Sequence, residues 1–230
     1  MTAQSSPRAL LFDLDGTLLD SAPAFLTALD TYCDQVGRPR ITEHREHYAS
    51  AGARAAVAEL YNITADHPDF ERHRADFLSV YLDIPVTLNR WYPGVEALMT
   101  RLTEDGVPWG IVTNKPRPHT EAVLAHLLAD TPPPSLVCQG DLPTIKPDPA
   151  MLLAAAEALN LDASHCLYAG DHLRDIQAAK AAGMHSLACT YGYLHDNDTP
   201  EHWGADDLVH TPHELTEKAL QWLTPPQPLH

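Results

Sequence analysis

Positive charge is what this sequence has least of: 15 lysines and arginines stand against 31 aspartates and glutamates, a formal net charge of −16 over 230 residues. Lysine is scarcest, present only as Lys115, Lys146, Lys180 and Lys218. With no basic stripe to offset their phosphates, nucleic acid and anionic membranes are excluded as partners. Long apolar runs are missing too, and none approaches the ~20 residues of a membrane span. Met1–Arg8 is polar, and the four-residue apolar run behind it is too short for the core of a secretory leader. Cysteine is limited to Cys33, Cys138, Cys166 and Cys189, with no CxxC or Cys/His finger spacing. Cys138, Cys166 and Cys189 fall in or beside short apolar runs, as buried structural thiols do. A reducing compartment and a cytoplasmic location are expected, with a monomer or dimer as the assembly.

What remains is ordinary for a globular chain, 44% hydrophobic and 20% charged, long enough for one sizeable domain with or without a smaller insert. Short apolar runs at Ala9–Leu14, Pro108–Thr113, Ser135–Cys138, His165–Ala169, Met184–Cys189 and Asp207–His210 read as buried strands. Helix-period stretches lie between them at Gly94–Glu104, Arg117–Leu128, Pro149–Leu159, Leu173–Ala182 and Pro212–Leu223. Pro149 and Pro212 suit a first helical turn, and Gly106 and Gly183 suit helix exits. This alternation with short links predicts a parallel sheet covered on both faces. From about Ser21 to Asn89 there is helical pattern without a convincing strand, and the alternation resumes after Trp91-Tyr92-Pro93-Gly94. That stretch reads as an inserted helical domain. Thr224–Pro228 has no periodicity and is expected to be a loose tail.

The strongest local signal is Phe12-Asp13-Leu14-Asp15-Gly16-Thr17-Leu18 at the end of the first strand. Residues i and i+2 of a strand share a face, so Asp13 and Asp15 point the same way from its carboxyl end. Ligands of open α/β sheets bind at that end. Two carboxylates so close repel each other, and at least one pKa rises unless a cation sits between them. Gly16 lets backbone approach a ligand, and Thr17 offers a hydroxyl. Further on come Val112-Thr113-Asn114, Lys146-Pro147-Asp148-Pro149 and Gly170-Asp171-His172-Leu173-Arg174-Asp175. Taken singly, each has a plain alternative: a strand-to-loop turn, a solvated Lys-Pro turn, and acids favoured by a helix N-terminus.

Taken in this order, the four segments resemble the four motifs of haloacid dehalogenase-like phosphatases. The resemblance implies an α/β Rossmann-like core of residues 1–20 and 90–230, with a helical cap inserted at 21–89. It implies that Asp13 attacks phosphorus and becomes an aspartyl phosphate, which a carboxylate can do without a base to activate it. Asp15 would protonate the leaving alkoxide and then deprotonate the hydrolytic water. Mg²⁺ would be held by Asp13, the backbone carbonyl of Asp15, and Asp171, with Asp175 behind them orienting a metal water or Lys146. Thr113 and Asn114 would hydrogen-bond the phosphoryl oxygens, and Lys146 would supply fixed positive charge there. Gly16, Thr17 and Lys115 would lie near the phosphate, although Lys115 is equally readable as a solvated loop lysine. His172 departs from the small polar or acidic residue common at its position, which bears on the metal's outer shell.

Sibling chemistries are separable by residue. Haloacid dehalogenases lack the acid two positions after the nucleophile, and Asp15 is present here. Phosphonatases of this type use a cap lysine, and no lysine precedes Lys115. A sugar phosphomutase would share Asp13 and Asp15 and stays open, whereas intact acidic motifs argue against a non-catalytic binding module. Ser50-Ala51-Gly52-Ala53-Arg54, Trp109–Pro116, Tyr191-Gly192-Tyr193 and Trp203-Gly204-Ala205-Asp206 resemble the phosphoglycolate phosphatase-like group, and within it the N-acetylmuramic acid 6-phosphate phosphatases. The implied substrate is a small phosphorylated metabolite that also carries a carboxylate, the muramate ester ranked ahead of phosphoglycolate. Gly52 would let backbone lie close to that substrate. Arg54 would grip its carboxylate, the alternative being an exposed arginine at a helix start.

Overall fold

The structure, a computed structural model, describes residues 8–43, 45–128 and 132–224. The chain opens with β1 (Ala9–Phe12) and the two-residue β2 (Leu19–Asp20), then runs through α1 (Ala22–Val36), α2 (Tyr48–Ala51), α3 (Ala53–Tyr61) and α4 (Phe70–Leu82) to β3 (Arg90–Trp91). Strands and helices then alternate: α5 (Val95–Glu104), β4 (Trp109–Pro116), α6 (Arg117–Leu127), β5 (Ser135–Gln139) and α7 (Ala150–Ala158). β6 (Cys166–Gly170), α8 (Leu173–Ala182), β7 (His185–Cys189), β8 (Asp207–Val209) and α9 (Pro212–Leu223) complete it.

The six strands expected from the apolar runs form one parallel sheet in the order β5-β4-β1-β6-β7-β8. β1 is central and fully buried, because a parallel strand with helices on both faces has no solvent side. Alternation assigns its side chains. Leu10 and Phe12 pack on one face with Trp109 and Ile111, against α5 and α9, while Ala9 and Leu11 pack on the other with Val112 and Tyr168, against α7 and α8. The chain goes from β1 to β4 on one side and later to β6 on the other. The crevice where strand order reverses therefore opens beyond the carboxyl end of β1.

β2 and β3 pair antiparallel, Leu19 with Trp91 and Asp20 with Arg90, where the chain leaves the sheet layer and returns to it. Two residues are too few to show a period of two, so this pair left no trace in the sequence pattern. Between them α1 to α4 enclose a core of their own. Phe77 is fully buried, its ring 5.2 Å from Phe25 and 5.8 Å from Tyr32, both edge-on. Gly37 ends α1 in the left-handed conformation, and Gly183 does the same for α8. Pro212 opens α9 as expected, whereas Pro149 stands one residue ahead of α7. The four cysteines are buried free thiols, and no helix among the described residues is long and apolar enough to cross a membrane. The tail from Pro225 onward lies outside the described residues.

Phe77→Ala is expected to destabilise the protein by ~3–5 kcal/mol in urea unfolding, the usual loss for a buried ring. Faster amide exchange should be confined to residues 22–88. Equal loss of protection in the six-stranded sheet would show that helices and sheet melt as one unit.

Candidate active site

Asp13 follows β1 directly, and its backbone N–H continues the ladder by donating to Ala169 O at 2.8 Å. Asp13 and Asp15 are both buried. β6 ends one residue before Asp171, so the two adjacent strands deliver Asp13 and Asp171 into the same crevice. Backbone closes around Asp171 from two sides. Gly16, at φ 79°, would place a Cβ 1.9 Å from Asp171 Oδ2, and a Cβ on Gly192 would lie 2.4 Å from the same oxygen. Only glycine fits at either position. Asp171 also accepts hydrogen bonds from Tyr193 N at 3.2 Å and from the Ser50 hydroxyl at 2.9 Å, the latter reaching across from α2.

Lys146 is buried behind this pair, its Nζ 2.9 Å from Asp13 Oδ1 and 2.7 Å from Asp175 Oδ1. It donates to Tyr168 Oη at 2.7 Å and to Val112 O at 3.0 Å. One oxygen each of Asp13, Asp171 and Asp175 lies within 4.8 Å of the others. Burial raises the Asp13 pKa against the pull of Lys146. Burial, then the charges of Asp13 and Asp175, push Asp171 up to about 8. Such a buried cluster of carboxylates would suit a hard divalent cation, which would offset that charge. The oxygens of Asp175 are already engaged: Oδ1 with Lys146 and Tyr168, Oδ2 with the backbone N–H of His172 at 3.1 Å. Asp13 and Asp171 would be the ones to meet a metal, Asp171 while also holding its hydrogen bonds from Ser50 and Tyr193 N.

His172 is the N-cap of α8, its Nδ1 accepting from Arg174 N at 3.3 Å in a capping box with Asp175. Burial, then the neighbouring Arg174, lower its pKa to about 4, so it is neutral at neutral pH and serves the helix start. Thr113 is buried and accepts from Lys115 N at 3.1 Å. The Asn114 amide clamps the backbone of Lys146, donating to its carbonyl at 3.0 Å and accepting from its N–H at 3.1 Å. Its first task is thus to hold Lys146. Lys115, read as a loop lysine or a phosphate neighbour, is buried and ion-paired with Asp15 at 3.0 Å. It also donates to Tyr81 Oη of α4 at 2.8 Å. Burial works against its charge, but Asp15 and Tyr81 more than offset that and raise its pKa.

A cavity of about 180 Å³ lies over Asp13, between the sheet edge and the helical insert. Gly52 and Arg54 line it, as do Thr113, Asn114, Lys115 and Lys146. Gly16 and Thr17, expected beside the substrate, do not. Gly16 packs on Asp171, and Thr17 is fully buried with its carbonyl accepting from Tyr191 Oη at 2.7 Å. Arg54 reaches Glu71 at 2.6 Å and lies over the Phe70 ring. Sequence reading missed Ser50, Arg74, Tyr81 and Arg174. Arg174 had a signal, since it sits between Asp171 and Asp175, and its guanidinium donates to Ser50 O. Arg74, Leu78 and Tyr81 recur at helical spacing and all line the cavity, but nothing in the sequence says which face of α4 meets the sheet. The lining carries two acids, Asp13 and Asp15, against Arg54, Arg74, Lys115, Lys146 and Arg174. The scarce positive charge of this acidic chain is gathered where a phosphate ester needs it.

Known proteins are similar to this chain along most of its length. The haloacid dehalogenase-like hydrolase family profile matches residues 7–183. The N-acetylmuramic acid 6-phosphate phosphatase of Pseudomonas aeruginosa is 40% identical over 211 residues, 91% of this chain and 93% of that protein. A phosphoglycolate phosphatase of Xanthomonas campestris is 40% identical, covering 96% of this chain and 99% of its own. Among solved structures, a haloacid dehalogenase-like hydrolase from Bacteroides fragilis superimposes with a TM-score of 0.81 at 24% identity, covering 91% of this chain and 100% of the other. The chain therefore belongs to the haloacid dehalogenase-like hydrolases and is a phosphatase.

Proposed function

We propose that this phosphatase works through an aspartyl phosphate on Asp13. The supporting observation is that Asp13, paired with Lys146 and clustered with Asp171 and Asp175, lines a cavity to which five basic side chains are gathered. An Asp13 oxygen forms a bond to phosphorus as the bond to the ester oxygen breaks, and Asp15 gives the departing alkoxide its proton. Asp15 then takes a proton from the water that attacks phosphorus. Inorganic phosphate leaves and the Asp13 carboxylate is restored. Thr113 and Lys146 face the phosphoryl oxygens, and Asn114 acts with them by fixing Lys146. Asp13, the Asp15 carbonyl and Asp171 would hold Mg²⁺, with Asp175 behind them; the ion supplies positive charge against the phosphoryl group when bound. Residues 21–89 act as the cap over a core of 1–20 and 90–230, in the cytoplasm.

The substrate is a small phosphomonoester bearing a carboxylate, N-acetylmuramic acid 6-phosphate first and phosphoglycolate second, as the names of the two relatives suggest. Arg54, in the cavity wall beside Gly52, is placed to meet that carboxylate. A sugar phosphomutase would share Asp13 and Asp15 but return an isomer of its substrate, so release of inorganic phosphate separates the two.

Asp13→Asn should keep the fold and abolish turnover, because the amide preserves shape and cannot attack phosphorus. Beryllium fluoride should be trapped on Asp13 of the unaltered protein. Activity persisting in Asp13→Asn would end the covalent mechanism.

Chelation should silence the enzyme, Mg²⁺ should restore it, and Ca²⁺ should not, since Ca²⁺ takes more ligands at longer distances. Calorimetry on Asp171→Ala should show Mg²⁺ binding largely lost. Binding as tight as in the unaltered protein would remove Asp171 from the ligand set.

A further inference from the structure

The basic side chains of the cavity fall into two groups. Lys146, Lys115 and Arg174 are engaged at the floor, by Asp13 and Asp175, by Asp15, and by the Ser50 carbonyl. Arg54 and Arg74 stand in the wall supplied by α3 and α4 and share one carboxylate, Glu71, at 2.6 and 2.8 Å. Glu71 is 58% exposed and is outside the cavity lining, so it holds both guanidiniums from the solvent side. Two positive charges against one leave a single positive charge facing the cavity, the complement of one substrate carboxylate.

Of the two, Arg74 is the better fixed. Its side chain is 18% exposed against 43% for Arg54. With the Gln139 amide turned to the orientation that satisfies both neighbours, its oxygen accepts from Arg74 Nη2 at 3.0 Å and its nitrogen donates to Asn114 O at 2.9 Å. Gln139 ends β5, and Asn114 belongs to the segment that clamps Lys146, so the position of Arg74 is tied to the phosphate end of the site. An arginine carries five N–H donors. Glu71 and Gln139 take one each from Arg74, leaving enough for a two-pronged grip on a carboxylate. A guanidinium already held in place loses little freedom on binding, which favours it over the more exposed Arg54.

We propose that Arg74 is the specificity-determining anchor for the substrate carboxylate, with Arg54 as its partner and Glu71 as the residue that positions both. The proposal rests on the carboxylate-bearing substrate class argued above. It adds a residue in α4 and the link through Gln139 by which the two ends of the substrate are set at a fixed separation.

The test compares kcat/KM for N-acetylmuramic acid 6-phosphate with that for the same N-acetylhexosamine 6-phosphate lacking the lactyl ether, and so the carboxylate. Arg74→Gln should lower kcat/KM for the acid by ~10–100-fold, the usual loss for a charged hydrogen bond, and for the carboxylate-free ester by no more than ~3-fold. Arg74→Lys, which keeps the charge and loses the fork, should fall between, and it answers the same question if Arg74→Gln does not fold. Equal losses on both esters would assign Arg74 to holding the helical insert against β5 and overturn the proposal. An undiminished preference for the acid would overturn it too, leaving the substrate class standing and Arg54 as the anchor. An unaltered enzyme with no preference between the esters would sink the substrate class itself, and this proposal with it.

Discussion

Carboxylate repulsion beyond the ends of β1 and β6 is the constraint around which the molecule is arranged. Like charges ~4 Å apart repel by ~4 kcal/mol even at an effective dielectric constant near 20. Asp13, Asp171 and Asp175 are that close, and they are buried. Lys146 offsets part of the charge, and its own position requires the Asn114 clamp, the Tyr168 hydroxyl and the Val112 carbonyl. A divalent cation would offset the remainder, and burial together with the charges of Asp13 and Asp175 raises the Asp171 pKa to about 8 without one. The glycines at 16 and 192 follow from the same demand, because the backbone must wrap Asp171 more closely than any side chain permits.

The overall charge of −16 has a matching consequence for anionic substrates. Five of the 15 lysines and arginines converge on the cavity, against the net negative charge of the chain as a whole. Low-dielectric walls focus that local field, so the acidic exterior and the basic interior together discriminate in favour of small ligands that reach inside.

Much of the site was legible because it is encoded along the chain. Asp13 and Asp15 are two residues apart on one strand end, and Asp171 and Asp175 are four apart at a helix start. Strand order then brings the two pairs together without further information. The six strands of the sheet were legible for the same reason, each carrying its own apolar run. Contacts between remote segments were not. Ser50 reaches Asp171 from 121 positions away, and Lys115 reaches Asp15 from 100. Neither pairing has a local signature: the first depends on how the helices sit over the sheet, and the second on β4 lying beside β1. Arg74 and Tyr81 were hidden by the same ignorance of which helical face turns inward. Thr17 failed differently. Its hydroxyl suggested a ligand contact, but the turn after Asp15 carries it under the site into the core.

The pairing of Leu19–Asp20 with Arg90–Trp91 puts the point where the chain departs beside the point where it comes back. For the sheet, the 69 residues between them are topologically a single long loop whose ends are already pinned together. Closing such a loop grows costlier only with the logarithm of its length, so the sheet is nearly indifferent to what it contains. The register of β1 against β4 and β6 involves no residue of the insert. Exchange of the segment between Asp20 and Arg90 for another with the same end-to-end spacing would replace Arg54 and Arg74 and leave the strands that carry Asp13, Lys115 and Asp171 in register, although the contacts of Ser50 with Asp171 and of Tyr81 with Lys115 would go with it. The neck is thus a natural seam for recombination of the wall above the sheet.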